Sequence, residues 1–326
     1  MTKNGVYALN LSFDELNNAK FELYDGNPLI RPFGGSTIVA DPSVVTPDLA
    51  PDGKWHLFAH TLFGVYDFVS DDGIAFPERR RILSRAMRPD IKKVGGVFYL
   101  FYERTQPAFA RALTLAGADW RSEIYVVESR DLKEFSAPRL VLGFDRPYEG
   151  AGRHGHSLSN PFLLEDGGGF RLYYSAGLTF VKDCGFSEPT YICLAESDSV
   201  TGKFVKREKP LFSPTGDDGA FGLGCGCIKV YRLTDGYAAL MNGIYSDGRK
   251  SGSAIVLLRS DDGIAFTPVR RFLGPTDDGT GGWMEQFVYA SHLVRHGDEL
   301  RLYFNARDTA DMLKGRECIG LFRAKL

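Results

Sequence analysis

The chain has 326 residues, 44% of them hydrophobic and 25% charged, which is ordinary for a globule with a full core. Its 39 Lys and Arg against 41 Asp and Glu leave a net charge of −2, which excludes the electrostatic footprint of a protein bound to nucleic acid or to an anionic membrane. No apolar run approaches the ~18 residues of a membrane span. The opening MTKNGVYALNLSFDE lacks the apolar stretch of a secretory signal, so a cytoplasmic location is expected. Five Cys with no CxxC pair argue against a disulfide or zinc framework.

Glycine is in excess, at 37 residues, and 13% of the chain is aromatic, a composition suited to many short strands joined by tight turns. In chain order, one unit then repeats. It consists of a short apolar strand, a Gly-containing turn, an aromatic-rich strand, a loop, a third strand ending in a Ser-Asp-Asp-Gly-like turn, and a fourth strand. The first unit runs from DPSVV (41–45) through KWHLFAH (54–60) and GVYDFV (64–69) to Ser70-Asp71-Asp72-Gly73-Ile74-Ala75-Phe76 and RRRIL (79–83). The second has RPDIKKV (88–94), VFYLFYE (97–103), the weaker turn copy at 128–132 and SAPRLVL (136–142). The third has NPFLL (160–164), GFRLYYSA (169–176), the weaker turn copy at 196–200 and KREKPLF (206–212). The fourth has IKVYRL (228–233), GYAALMNG (236–243), AIVLLR (254–259), a second SDDGIAF at 260–266 and VRRFL (269–273). The fifth has SHLVRH (291–296), ELRLYFNA (299–306) and ECIGLFRAK (317–325), and stops there.

Its missing fourth strand is matched by FELYDGNPLI (21–30), which resembles FVKREKPLF. The repeat therefore predicts an all-β fold: one domain over 1–326, a five-bladed β-propeller with four-stranded blades, the last closed by an N-terminal strand that removes the open edge.

In such a ring the first strands line a central channel, and their starts share one mouth with the ends of the second strands. The residues gathered there are Asp41, Arg88, Asp90, Ser159, Asn160, Cys225, Cys227 and Tyr289 from first strands, with His60, Glu103, Arg104, Asn242, Asn305 and Arg307 from second strands. Loops add Glu149, Arg153, His154, His156, Glu188, Trp283 and Glu285. Acids, arginines, histidines and a Trp converging on one mouth suit a small polar ligand rich in hydroxyls. Asp41 and Asp90 could instead serve turns and backbone N–H groups. His154 and His156 lack a third ligand at metal spacing, and the Asp-Asp pairs at 71–72, 217–218, 261–262 and 277–278 lack the calcium-loop pattern, so neither metal nor cofactor is expected. Trp283, among glycines, reads as an exposed platform for a sugar ring.

Ala40-Asp41-Pro42-Ser43-Val44 with KWHLFAH, Arg88-Pro89-Asp90-Ile91 with GGVFYLFYE, and Asn160-Pro161-Phe162-Leu163 with GGGFRLYYSAG resemble the first three blades of glycoside hydrolase family 43. Families 32, 62, 68, 117 and 130 share its fold. The resemblance runs through all five blades and implies a glycosidase, inverting, acting on a small oligosaccharide or furanoside, with Asp41 as general base. The third-blade aspartate of that family falls on Asn160 or Ser159, and its general-acid glutamate falls within Gly224–Cys227, where no acid stands. Glu188 and Glu285 are then the candidate acids, since glycosidic cleavage needs a second carboxyl group with a raised pKa. Arg88, Asp90, Glu103, His60, His156, Asn160, Trp283 and Arg307 are the expected substrate-binding residues. Two other readings stay open: a phosphorolytic or glycosyl-transferring propeller, and a non-catalytic sugar-binding one. The expected partner is a small carbohydrate. The composition carries no information on oligomeric state.

Overall fold

In the computed structural model the described residues are 9–107, 119–150, 155–217, 219–276 and 282–326. A single short α-helix among them, α1 (Phe13–Asn18), begins in a capping box between Ser12 and Glu15. The rest is strands and turns. The strands form antiparallel ladders of consecutive segments. β2 (Ala40–Val45), β3 (Trp55–Thr61), β4 (Gly64–Ser70) and β5 (Glu78–Leu83) make the first. β6 (Ala86–Val94), β7 (Val97–Thr105), β8 (Trp120–Ser129) and β9 (Arg139–Leu142) make the next. β10 (Gly155–Asp166), β11 (Gly169–Val181), β12 (Phe186–Ser197) and β13 (Val205–Lys206) follow. After them come β14 (Gly224–Leu233), β15 (Gly236–Ser246), β16 (Ser251–Ser260) and β17 (Thr267–Leu273). Finally β18 (Phe287–His296), β19 (Glu299–Arg307) and β20 (Glu317–Lys325) pair in turn, and β1 (Glu22–Leu23) lies antiparallel on β20.

The first strand of each ladder touches the first strand of the next, and β18 returns to β2. Side chains of one strand hold the backbone of its neighbour. Ser43 Oγ accepts the Ile91 N–H (3.0 Å), Asp90 Oδ2 accepts the Leu163 N–H (2.9 Å), and Asn160 Nδ2 donates to the Gly226 carbonyl (3.1 Å). Tyr231 Oη accepts the Leu293 N–H (2.8 Å), and His292 Nδ1 accepts the Val44 N–H (2.6 Å). A fully buried carboxylate needs a compensating charge, and Asp90 has Lys92, with Nζ 3.1 Å from Oδ1.

All five first strands carry a bulge at the equivalent place, between Ala40 and Ser43, Met87 and Asp90, Ser159 and Phe162, Cys225 and Ile228, and Val288 and Ser291. A bulge re-aims a side chain and bends its strand. Three bulges place a non-glycine residue in the left-handed region: Asp41 (φ 55°), Arg88 (φ 51°) and Asn160 (φ 48°). That conformation is sparsely populated and tends to mark functional positions.

The repeated turns also lock neighbouring ladders together. In Ser70–Phe76, Ser70 Oγ donates to Asp72 Oδ1 (2.9 Å) and accepts the Gly73 N–H (2.9 Å), while Asp72 Oδ1 accepts the N–H groups of Ile74 and Ala75 (2.8 and 2.9 Å). Ser260 and Asp262 repeat this pattern, as do Ser129 and Asp131. Tyr303 Oη then donates to the Gly73 carbonyl (2.8 Å), and Tyr173 Oη to that of Gly263 (2.7 Å), each from a different ladder. Gly73 sits at φ 73°, where an added Cβ would lie 2.8 Å from both Trp55 and Tyr303.

Breaking the buried Asp90–Lys92 pair leaves an uncompensated ammonium and two unheld strands. Asp90→Ala is expected to lower the unfolding free energy by about 3–5 kcal/mol, and Tyr231→Phe by about 1 kcal/mol, both read from urea denaturation midpoints.

Candidate functional site

The bulged residues Asp41, Arg88, Asn160, Gly226 and Tyr289 open onto one cavity of about 240 Å³, joined by His60, Asn242, Asn305 and Arg307 from the second strands. Two further carboxyl groups, Glu188 and Glu317, enter from the beginnings of third strands.

Asp41 has a carboxylate 15% exposed, with Oδ2 3.3 Å from His60 Nδ1, and its N–H donates to Asn305 Oδ1 (3.1 Å). Loss of solvent raises its pKa above the ordinary aspartate value, against the opposing charges of Arg88 and Lys229. Arg88 donates to the fully buried Glu103 Oε2, whose other oxygen accepts Trp120 Nε1 at 3.3 Å. Burial opposes the guanidinium charge, but Glu103 and Asp41 outweigh it and hold Arg88 firmly protonated.

Glu188 faces Thr179 across the β11–β12 ladder and hydrogen-bonds the Tyr289 hydroxyl. Desolvation pushes it up to about 7, with Asp41 adding to the rise and Arg88, Tyr289 and Arg307 opposing it. Glu317 faces Arg307 across the β19–β20 ladder and accepts Asn305 Nδ2. Burial pushes it up to about 8, against Arg307, whose Nη1 is 3.8 Å from Oε2. Arg307 is otherwise committed to its own loop, donating to the carbonyls of Thr309 and Asp311 (2.8 Å each). Burial thus moves all three carboxyl groups of the cavity, Asp41, Glu188 and Glu317, toward their protonated forms.

Of the residues expected at the mouth, Asp41, His60, Arg88, Asn160, Glu188 and Arg307 line the cavity. Glu103 stands behind Arg88 as its counter-ion, and Asp90 lies in the inner ring, spent on Lys92 and the Leu163 N–H. Neither of these two lines the cavity as expected, and three further expectations are corrected. His156 packs edge-on against Phe144 (5.1 Å) and does not line the cavity. Trp283 lies on Phe304 (5.5 Å) and over Gly320, where a Cβ would meet its ring at 2.4 Å. Glu285 follows a turn closed by its own N–H to the Gly282 carbonyl (3.2 Å), which seats it in a separate depression with Arg271 and Gln286. Arg153, His154, Asp218, Asp277 and Asp278 lie outside the described residues. Among the described residues no cluster of three or more His, Cys, Asp or Glu is arranged to hold a metal ion.

Within the acid-free Gly224–Cys227 the position that opens on the cavity as a glycine, Gly226, is crowded. A Cβ on Gly226 would lie 1.9 Å from Asn242 Oδ1, and the Gly226 carbonyl already accepts Ser175 Oγ (2.5 Å) and Asn160 Nδ2 (3.1 Å). Glu317 is the residue that the sequence reading passed over. Its signal was present, since Glu188 and Glu317 both stand at the beginning of a third strand beside a residue of the preceding strand end.

No protein-family model and no curated protein matches the chain. Solved structures do. A glycosyl hydrolase from Bacteroides ovatus superposes with a TM-score of 0.61 at 17% identity, covering 97% of this chain and 96% of that one. A structure from the GH130 family of mannoside phosphorylases, described as containing glycoside hydrolases that target β-1,2-mannosidic linkages in Candida mannan, gives 0.60 at 18%, covering 93% of each chain. An N-acetylgalactosamine deacetylase from F. plautii, in complex with blood group B trisaccharide, gives 0.61 at 12%, covering 99% and 95%. The chain shares the all-β, propeller-like fold of these proteins; at such identities the fold is what is shared, and fold alone does not fix the reaction.

Two titrations check the site's electrostatics. The Tyr289 hydroxyl stabilises the Glu188 anion, so Tyr289→Phe is expected to move the Glu188 carboxyl ¹³C titration upward from about 7. Glu317 in the fold keeps a proton that the unfolded chain releases above its ordinary 4.5. Its stabilising contribution is therefore complete below about 4.5 and is lost as pH rises through about 8. Glu317→Gln is expected to flatten that part of the stability–pH curve measured by denaturation.

Proposed function

We propose that this chain is a single five-bladed β-propeller that hydrolyses a glycosidic bond in its central cavity, with Asp41 as general base and Glu188 as general acid. The observation that carries the reading is the meeting of these two carboxyl groups in one concave site. Burial raises both, with Arg88 and Lys229 opposing the rise at Asp41, and Glu188 reaches about 7. Two carboxyl groups, one of them with a raised pKa, are the physical requirement for acid and base assistance at an acetal carbon. The repeating ladders, the cyclic contacts of their first strands and the closure of β20 by β1 support the propeller reading.

In the proposed step Asp41 takes a proton from water as its oxygen bonds to the anomeric carbon. The bond from that carbon to the leaving oxygen breaks, and Glu188 gives that oxygen its proton. The products are a free sugar of inverted configuration and an alcohol. Asn160 lines the cavity to meet sugar hydroxyls, Arg88 being bound to Glu103 and Asn305 to the Asp41 N–H and Glu317, and Glu317 adds a carboxyl group with a raised pKa.

Hydrolysis is favoured over phosphorolysis because the cationic groups are already taken. Arg88 is bound to Glu103 and Arg307 to two backbone carbonyls, while Asp41 repels an incoming anion.

The test is product release from aryl furanosides, aryl pyranosides and short oligosaccharides, with and without phosphate. Phosphate-independent cleavage is expected, falling by about 10²–10⁴ in Asp41→Asn and in Glu188→Gln. Activity should rise as Asp41 ionises and fall as pH passes about 7, where Glu188 loses its proton. Turnover that requires phosphate, or full activity in either variant, would overturn the assignment.

A further inference from the structure

Resting on the glycosidase reading, we propose that the substrate carries an apolar leaving group, seated on a rim formed by Phe63 and Leu313 outside a cavity that takes a single sugar ring.

The cavity lining is mixed, and its more exposed members include the apolar side chains Ile38, Leu62, Phe186 and Met312. The apolar surface then continues outward. Phe63, next to Leu62, is 43% exposed, and Leu313, next to Met312, is 78% exposed. Single exposed apolar side chains are ordinary. These two differ because each extends a turn that already lines the cavity.

Both turns are held in place. In the β3–β4 turn the Leu62 N–H donates to Ser36 Oγ (3.2 Å) and the Phe63 N–H to Thr61 Oγ1 (3.1 Å). In the β19–β20 loop Asp311 Oδ1 accepts the N–H groups of Leu313 and Lys314 (2.9 Å each), and Arg307 grips the carbonyls of Thr309 and Asp311. The acids of this loop are thereby turned onto its own backbone, Asp308 likewise accepting the Arg316 N–H at 2.8 Å.

The two turns also flank one segment. Ser36 holds Leu62, while Thr37 and Val39 pair with Glu317 through the Glu317 N–H to the Thr37 carbonyl (3.1 Å) and the Val39 N–H to the Glu317 carbonyl (2.9 Å). Both turns are thus tied to the same 36–39 segment beside the cavity. A further sugar unit would be better served by a flat aromatic ring with polar neighbours; Trp283 is packed on Phe304, and the exposed ring of these turns, Phe63, adjoins the apolar Leu62. An alkyl or aryl group fits the chemistry that is present.

The experiment compares methyl and octyl glycosides, and disaccharides of the same sugar, across mannose, galactose and arabinofuranose, for wild type and for the double variant Phe63→Ser, Leu313→Ser. The octyl compound is expected to exceed the methyl one in kcat/KM by about 10-fold or more, as burial of one sizeable apolar group gives. The double variant should lose that advantage and leave methyl turnover unchanged. Equal rates for methyl and octyl compounds, equal losses on both in the variant, or a preference for the disaccharide would overturn the proposal. Absence of all turnover would count against the glycosidase reading alone. Calorimetric binding of the same methyl and octyl pairs then decides the rim, with tighter octyl binding that the variant abolishes as support and equal binding as refutation. A wild-type dimer in sedimentation that the double variant dissociates would assign the rim to a second copy of the chain and overturn the proposal.

Discussion

The carboxylate of Asp90 is the contact on which the centre of the molecule depends. One oxygen holds the Leu163 backbone and the other meets Lys92, so a single group joins β6 to β10 and neutralises a buried ammonium. Ser43 lies within 3.5 Å of the same carboxylate and holds Ile91 in turn. A polar core is costly when incomplete and rigid when complete. Here each backbone bond tying one inner strand to the next is supplied by a side chain: Ser, Asp, Asn, Tyr and His in turn. The bulges can therefore turn Asp41, Arg88 and Asn160 toward the cavity in a strained backbone conformation without loosening the strands that carry them.

That rigidity shapes the electrostatics above it. Each acid of the site has its own partner: His60 beside Asp41, Tyr289 on Glu188, Asn305 on Glu317 and, behind the cavity, Arg88 on Glu103. Burial raises the three carboxyl groups that line the cavity. At Glu188 the Tyr289 phenol and the charges of Arg88 and Arg307 oppose that rise only in part. The same residue type thus takes different roles because of what the adjoining strand supplies.

Much of this was legible in the sequence, because strand periodicity and turn chemistry are local. The Ser-Asp-Asp-Gly copies marked the ends of third strands, since Ser and Asp in a turn can bond backbone N–H groups two or three residues on. The starts of first strands located Asp41, Arg88 and Asn160 for the same reason. Trp283 and Glu285 were misplaced because they lie between a fourth and a first strand, where no repeat constrains direction. Asp90 was read as reaching the ligand, although two residues of pleat carry it below Arg88 into the ring. Glu317 went unread because attention fell on first and second strands, while its depth comes from pairing with Arg307. The empty position in β14 could not be explained from composition, since the crowding by Asn242 is a contact across strands.

The closure of β20 by β1 bears on when the cavity can exist. Asn305, which fixes the Asp41 backbone, lies 264 residues downstream of it, and the 36–39 segment is held only once Glu317 is in place. During synthesis Asp41 emerges early and waits for nearly the whole chain before its environment is assembled. His60 and Arg88 follow it early, but the Asn305 side chain that accepts its N–H and the neighbouring Glu317 come only with the last two strands. The two ends of the chain act as a latch on the chemistry, so that a partly made or cleaved chain holds carboxylates in water rather than a poised acid and base.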